Sequence, residues 1–157
     1  MLRAAIATQP YWCYMTSASL STLARRYYRN HQTKRAADGL ERFLAQCSDL
    51  KVAEVVEVLL VDQALEWENG PGPFVEQYVE RFAAVAGQRE AVLELVYGEM
   101  RAVRALGLPI DVDAYVTRFP DLADPLRRQL EVSAWLADEE GGIKPDPNGQ
   151  SRSTGAV

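Results

Sequence analysis

Few side chains in this sequence could carry out acid–base or nucleophilic chemistry. His31 is the one histidine, and the two cysteines, Cys13 and Cys47, form no CxxC pair. A Ser-His-Asp or Cys-His arrangement would have to use His31, which lies in a basic segment without hydrophobic periodicity. The sequence therefore predicts no catalytic residue and a protein that is not an enzyme.

Acidic side chains recur at helical spacing, but they lack the partners that metal chemistry would need. Glu54 and Glu57 form one such pair, and Glu90 and Glu94 form another. Di-metal helical bundles combine acids of this kind with Glu-x-x-His motifs on facing helices, and the sequence has no such motif. The acids therefore predict solvated helix faces. No metal ligand, no cofactor-binding residue and no cofactor is expected.

Motifs for phosphate transfer are missing as well. A protein kinase needs a glycine-rich phosphate loop, a strand lysine, a His-Arg-Asp loop and an Asp-Phe-Gly metal site. His31 is followed by Gln-Thr, and the sequence contains no Asp-Phe-Gly. The run Gly70-Pro71-Gly72-Pro73 predicts a turn, because its prolines remove N–H groups that a phosphate cradle would use.

Charge is distributed unevenly along the chain. The net charge of −5 combines +6 in residues 1–37, −12 in residues 38–140 and +1 in residues 141–157. The basic segment mixes cations with aromatic rings, as in Arg25-Arg26-Tyr27-Tyr28-Arg29, a combination that can bind single-stranded nucleic acid. Against this stands the acidic body, which repels phosphate. Nucleic-acid binding through Arg25, Arg26 and Arg29 is therefore kept as the alternative function.

Composition also bounds the location of the protein. No stretch approaches the roughly 20 apolar residues of a membrane helix, and no signal-peptide core is present. Two unpaired cysteines favour a reducing compartment, so we expect a cytoplasmic protein without a membrane partner. Met15 is an alternative start to Met1, since the residues after it read as an ordinary N-terminus.

Hydrophobic spacing predicts an all-α fold of about six helices. We expect a mostly disordered basic arm over residues 1–37, with a helical stretch near Leu20–Tyr28, then a helical domain over 38–140 and a flexible tail or linker over 141–157. A core drawn from the apolar stripes should include Phe43, Leu59, Leu60, Tyr78, Phe82, Leu93, Val96, Tyr97, Tyr115, Phe119, Leu130 and Trp135.

Two short segments of the helical domain repeat each other. Residues 75–82 and 112–119 are identical at five of eight positions, and the offset of 37 residues also relates Gly70 to Gly107. This period lies in the range of helical-hairpin repeats and predicts a duplicated short-helix/long-helix unit, over about 74–106 and 111–138. Its core motif is Val75, Tyr78 and Phe82 in one copy and Val112, Tyr115 and Phe119 in the other.

An arginine precedes the phenylalanine in each copy of the motif. Arg81 and Arg118 fall off the apolar face of their short helices. They are therefore candidate interaction residues, which could pair with acids on a neighbouring helix such as Glu94 or Glu131. An exposed pair of this kind would contribute only about 0–1 kcal/mol.

Further short motifs run through the helical domain in order. They are Leu59-Leu60-Val61-Asp62-Gln63, Trp67, Gly70, Tyr78, Arg81-Phe82, Glu94-Leu95-Val96-Tyr97-Gly98-Glu99, Gly107, Tyr115 and Arg118-Phe119-Pro120. Over about residues 40–138 the chain resembles the helical region that precedes the catalytic domain of large bacterial Ser/Thr protein kinases. Ala83 departs from the pattern, because proline often follows the phenylalanine there.

The resemblance implies a non-catalytic protein-interaction or regulatory module. A Ser/Thr kinase domain is then the first candidate for its protein partner. In the kinases that the chain resembles, the catalytic domain would begin near the place where this sequence ends, at Val157. A fragment of a kinase and a free-standing adaptor therefore both stay open.

Overall fold

The computed structural model describes residues 20–33, 39–68 and 70–129, and all regular structure within these ranges is helical. The predicted all-α class is therefore confirmed. No helix among the described residues has the length and apolar character needed to cross a membrane. The arm before residue 20 and the tail after residue 140 lie outside the described residues.

The helices are short except for two. In chain order they are α1 Thr22–Thr33, α2 Gly39–Ala45, α3 Val52–Glu66, α4 Val75–Arg81, α5 Ala83–Ala86, α6 Arg89–Ala105 and α7 Val112–Arg118, followed by a 3-10 turn, Pro120–Leu122, and by α8, which covers 123–129. The chain divides into two compact units, Met1–Asp111 and Val112–Val157. Each is described by itself below.

The long helices α3 and α6 form the centre of the first unit. Val58, Leu59, Leu95 and Val96 are fully buried. The helices approach closely at Gly98, where an added Cβ would lie 2.2 Å from the Gln63 Oε1 atom and 2.7 Å from the Leu60 Cδ2 atom. A side chain at position 98 would therefore require the ends of the Gln63 and Leu60 side chains to move away.

Helix α1, which lies within the segment expected as a mostly disordered arm, packs along α3. The helical stretch predicted near Leu20–Tyr28 is present and extends to Thr33. Ala24 and Tyr27 are buried on the side that faces α3. Residues 20–33 therefore belong to the folded unit. Residues 1–19 and 34–38 lie outside the described residues.

Polar contacts fix the register of α1 on α3. The Ser21 N–H donates to Glu57 over a separation of 36 residues, and Tyr27 contacts Asp62 over 35 residues. His31 contacts Glu66, again over 35 residues. Because the offset is nearly constant, α1 and α3 run side by side in the same direction.

The turn between α3 and α4 is fixed by Trp67. Its indole N–H donates to the Pro73 carbonyl oxygen over 3.0 Å, and the ring meets Phe74 edge-on at 6.0 Å. Gly72 lies against the same indole, and a Cβ there would come within 2.6 Å of it. The turn predicted at residues 70–73 is therefore a packed segment with no room for a larger residue at position 72.

The second unit begins with α7. Tyr115, Leu122 and Leu126 are buried, and the Arg118 guanidinium lies 5.1 Å from the ring centres of both Tyr115 and Phe119. Leu130 and Trp135, which were expected in the core, lie outside the described residues. The copy of the predicted repeat unit over 111–138 is therefore described only as far as residue 129.

The two predicted copies share one local conformation. Phe82 and Phe119 each donate their N–H to the tyrosine four residues earlier, over 2.9 and 2.8 Å. Both then leave helical geometry, with φ of −123° and −129°, and helical structure resumes at the next residue. The duplication of a whole short-helix/long-helix unit stays a prediction.

Burial divides the expected core residues into two groups. Phe43, Leu59, Tyr78, Val96, Tyr115 and the motif residue Val75 are buried as expected. The others that are described are half-buried: Leu60, Phe82, Leu93, Tyr97, Val112 and Phe119. The two phenylalanines come directly after the last residue of their helices and have non-helical backbone.

Candidate functional site

A buried carboxylate, Asp62, is the centre of the candidate site. It lies within α3 and is 6% exposed. The Tyr27 hydroxyl donates to its Oδ1 atom over 2.5 Å, and the Tyr78 hydroxyl donates to its Oδ2 atom over 2.8 Å. Side chains from α1 and α4 therefore meet on one residue of α3, and both carboxylate oxygens have a hydrogen-bond donor.

The protonation of this cluster follows from its burial. Burial raises the pKa of Asp62 above its ordinary value, and the charge of Glu66 adds to the rise, whereas the two tyrosine hydroxyls and His31 oppose it. Burial and the Asp62 charge also raise the pKa of Tyr27 and of Tyr78. Both phenols therefore stay protonated at neutral pH and remain donors.

His31 and Glu66 continue the site towards solvent. The His31 Nε2 atom lies 3.4 Å from the Glu66 Oε1 atom, and the two side chains are 25% and 46% exposed. With Asp62 they form the His31–Asp62–Glu66 cluster, in which each residue offers one ligand atom and these atoms lie within 4.8 Å of one another. His31 was expected in the arm, away from any site, and α1 places it here instead.

A second buried carboxylate, Glu99, lies on α6 and is 1% exposed. Its Oε2 atom accepts the backbone N–H of Val75, the first residue of α4, over 2.9 Å. A carboxylate at this place satisfies an N–H that has no partner within the helix. Nearby, the Gln63 amide donates to the Leu95 carbonyl oxygen over 3.3 Å, while its own Oε1 atom has no hydrogen-bond partner among the described residues.

A cavity of about 680 Å³ opens beside Asp62. Three acids and one arginine contribute to its wall. The described residues that line it are Leu40, Asp62, Glu66, Pro71, Gly72, Pro73, Phe74, Gln77, Glu80 and Arg81. We call it the α3–α4 cavity. Phe74 stands at its edge with 48% of its surface exposed.

The arginines singled out in the sequence have other partners than expected. Arg81 pairs with Glu41 on α2, through Nη2 and through an Nε–Oε1 hydrogen bond of 2.6 Å, and not with Glu94. Although partial burial acts against it, this arginine lowers the pKa of Glu41. Arg118 stacks on rings of its own motif, and its suggested partner Glu131 lies outside the described residues.

The residues of the basic aromatic segment, Arg25 to Arg29, differ in burial. Arg25, Arg26 and Arg29 are exposed on α1. The Arg26 guanidinium lies 5.0 Å from the centre of the Phe43 ring and donates to the Cys47 sulfur over 3.2 Å. Tyr27, at 3% exposure, is turned inward to Asp62 and cannot stack on a base. The cations for nucleic-acid binding are thus accessible, while one of the expected aromatic platforms is not.

Asp62, Gln63 and Glu99 are buried polar side chains that were not predicted as a group. A signal was present, because each stands where the apolar pattern of α3 or α6 calls for a hydrophobic residue. These positions also occur in the motifs that carry the kinase resemblance. No protein-family model, no curated protein and no solved structure matches this chain.

Proposed function

We propose that the chain is a non-catalytic helical module that binds a partner protein at the edge of the α3–α4 cavity. The observation that carries this proposal is the exposure of Phe74, an aromatic side chain of which 48% faces solvent. Aromatic side chains are enriched among the residues that dominate binding energy at protein interfaces.

The backbone around Phe74 is held in place by side chains of the first unit, which favours a role of this residue in binding a partner. Trp67 holds the preceding carbonyl group of Pro73, and the Gln77 side chain accepts the Phe74 N–H over 3.0 Å. The ring is therefore presented by a fixed backbone, which reduces the entropy lost on binding. Next to Phe74, the exposed Pro71 and the buried Leu40 also line the cavity.

Charge suggests the chemistry of the bound segment. Glu80 is exposed on the cavity wall, while Arg81, its neighbour, is paired with Glu41. We infer a partner segment with an apolar side chain against Phe74 and a basic side chain opposite Glu80. Because of the kinase resemblance, a Ser/Thr kinase domain is the first partner to test. The module would then regulate or target that kinase.

Site-specific crosslinking tests the proposal. A photoreactive phenylalanine analogue placed at position 74 should capture a specific protein in cells of the source organism. Leu108 gives a matched control, because its 47% exposure is almost the same. With the captured protein purified, Phe74→Ala should weaken binding about 10- to 30-fold and Leu108→Ala should leave it unchanged.

Two results would count against a partner site at Phe74. One is capture of the same proteins from positions 74 and 108, which indicates unspecific contact. The other is unchanged affinity of Phe74→Ala for the captured partner. Salt-dependent binding of single-stranded DNA that is lost in the Arg25→Ala, Arg26→Ala, Arg29→Ala variant would instead support the nucleic-acid alternative.

A further inference from the structure

We propose that the His31–Asp62–Glu66 cluster binds one divalent transition-metal ion of the zinc type. It brings one imidazole nitrogen and two carboxylate oxygens together from α1 and α3. The sequence predicted no metal ligand, because His31 and the two acids are 31 or more residues apart in the chain. Metal binding at this cluster does not depend on the partner protein proposed above.

The spacing of the ligand atoms is close to that of a tetrahedral site. Zinc bonds to nitrogen and carboxylate oxygen are about 2.0–2.2 Å long, so two ligand atoms on one tetrahedral ion lie about 3.4 Å apart. The His31 Nε2 atom and the Glu66 Oε1 atom are 3.4 Å apart. The Asp62 oxygen is within 4.8 Å of both, so a movement of roughly 1 Å completes a three-residue set.

The position of the cluster gives the ion both a route and a free coordination place. Glu66 and Asp62 line the α3–α4 cavity, and His31 is 25% exposed. Three protein ligands leave at least one place on the metal for water. The ion would therefore be held at the wall of the cavity, in exchange with solvent.

The surroundings of Asp62 match those of a ligand that is held in place. Carboxylate ligands of metals are themselves hydrogen-bonded, and these outer partners orient them. Tyr27 and Tyr78 donate to Asp62 in this way from two other helices. A dication would also offset the repulsion between Asp62 and Glu66, whose charges act on each other.

The donor set selects among metals. Imidazole nitrogen suits zinc, copper, nickel and iron, whereas magnesium and calcium take oxygen ligands almost alone. With one nitrogen among three ligands, the cluster should prefer Zn²⁺ over Mg²⁺ and Ca²⁺. His31 is the residue on which this preference depends.

Calorimetric titration of the full chain with Zn²⁺ alone tests the site. The protein is first freed of metal with a chelator, and Cys13→Ser and Cys47→Ser are introduced so that no thiolate contributes. We expect one Zn²⁺ per chain, with His31→Ala and Glu66→Gln each lowering the affinity at least about tenfold. Mg²⁺ at the same concentrations should give no comparable binding.

Two further variants distinguish a specific metal site from nonspecific Zn²⁺ binding to acidic side chains. Glu94→Gln removes an exposed acid from α6 and should leave Zn²⁺ affinity unchanged. Tyr78→Phe removes a positioning hydroxyl without touching a ligand and should weaken binding by about tenfold. Circular dichroism of each metal-free variant confirms that the helices are retained.

Three outcomes would overturn the proposal. They are absence of Zn²⁺ binding, an affinity that His31→Ala leaves unchanged, and equal losses in Glu66→Gln and Glu94→Gln. None of these results bears on crosslinking at position 74, which tests the partner protein through Phe74. Loss of partner capture with retained Zn²⁺ binding would in turn reject the partner site and leave the metal site standing.

Discussion

The two ends of α4 are attached to the rest of the first unit by carboxylates in opposite environments. At the N-terminal end, Glu99 is 1% exposed and accepts the backbone N–H of Val75. At the C-terminal end, Glu41 pairs with Arg81, and the two side chains are 51% and 37% exposed. Both attachments use a carboxylate. If its partner is lost, the exposed Glu41 can bind water instead, whereas the buried Glu99 cannot.

Between these ends, Asp62 holds the middle of α4 through the Tyr78 hydroxyl. Asp62 is buried like Glu99, but it also lines the α3–α4 cavity. Glu41, by contrast, is exposed to solvent. The comparison therefore predicts that the cost of removing each attachment falls from Glu99 to Asp62 to Arg81. Asp62 is the one of the three that is both buried and named in the lining of the cavity.

The largest effect is expected at the N-terminal end of α4. Glu99→Ala leaves the Val75 N–H buried without its acceptor and opens space in the core, so it should lower the free energy of unfolding by about 3 kcal/mol. Urea denaturation followed by circular dichroism measures this change. Glu94→Ala on the exposed face of the same helix is the control, with a change within about 0.5 kcal/mol. Equal losses in the two variants would show that Glu99 is not a specific attachment.

A smaller effect, with a distinctive pH dependence, is expected for Asp62→Asn. One tyrosine hydroxyl then meets an amide nitrogen instead of an acceptor, which should cost about 1 kcal/mol at neutral pH. Because the folded protein raises the pKa of Asp62, the native state binds more protons than the unfolded state as pH falls towards the ordinary value of 3.8. The contribution of Asp62 to stability is then complete below that value and is lost as pH rises through the folded pKa.

The measurement compares unfolding of the wild type and Asp62→Asn at pH 7 and near pH 4.5, with a chelator present. The stability difference between them should widen at the lower pH, since the amide introduced at position 62 does not titrate. Loss of the Arg81–Glu41 attraction at low pH has the opposite sign, but it affects both proteins equally. A difference that narrows on acidification would mean that the two hydroxyls outweigh burial and lower the pKa of Asp62.

Hydrophobic spacing predicted the helices of the first unit well but could not predict these attachments. The apolar stripe of α6 matches Leu95 and Val96, whose burial needs no partner. Glu99 interrupts that stripe. It is buried against the first residue of α4, a tertiary contact that local sequence spacing does not predict.

Helix α1 is different, because a signal for its packing was present. Leu20, Leu23, Ala24, Tyr27 and Tyr28 follow helical spacing, and Ala24 and Tyr27 of this stripe are buried. The polar contacts that set its register, through Ser21 and His31, have no such signal.

The smallest effect is expected at the exposed end of α4. Arg81→Ala removes the pair with Glu41, and solvent replaces the lost interaction, so the unfolding free energy should fall by only about 0.5 kcal/mol. The loss should shrink further in high salt, because exposed charges are screened. A double-mutant cycle with Glu41→Gln measures the pair itself and separates it from the contact of Arg81 with the Phe82 ring, 5.7 Å away. A coupling as large as the cost of Glu99→Ala would mean that burial does not decide the strength of these attachments, and the contrast between the two ends of α4 would then be wrong.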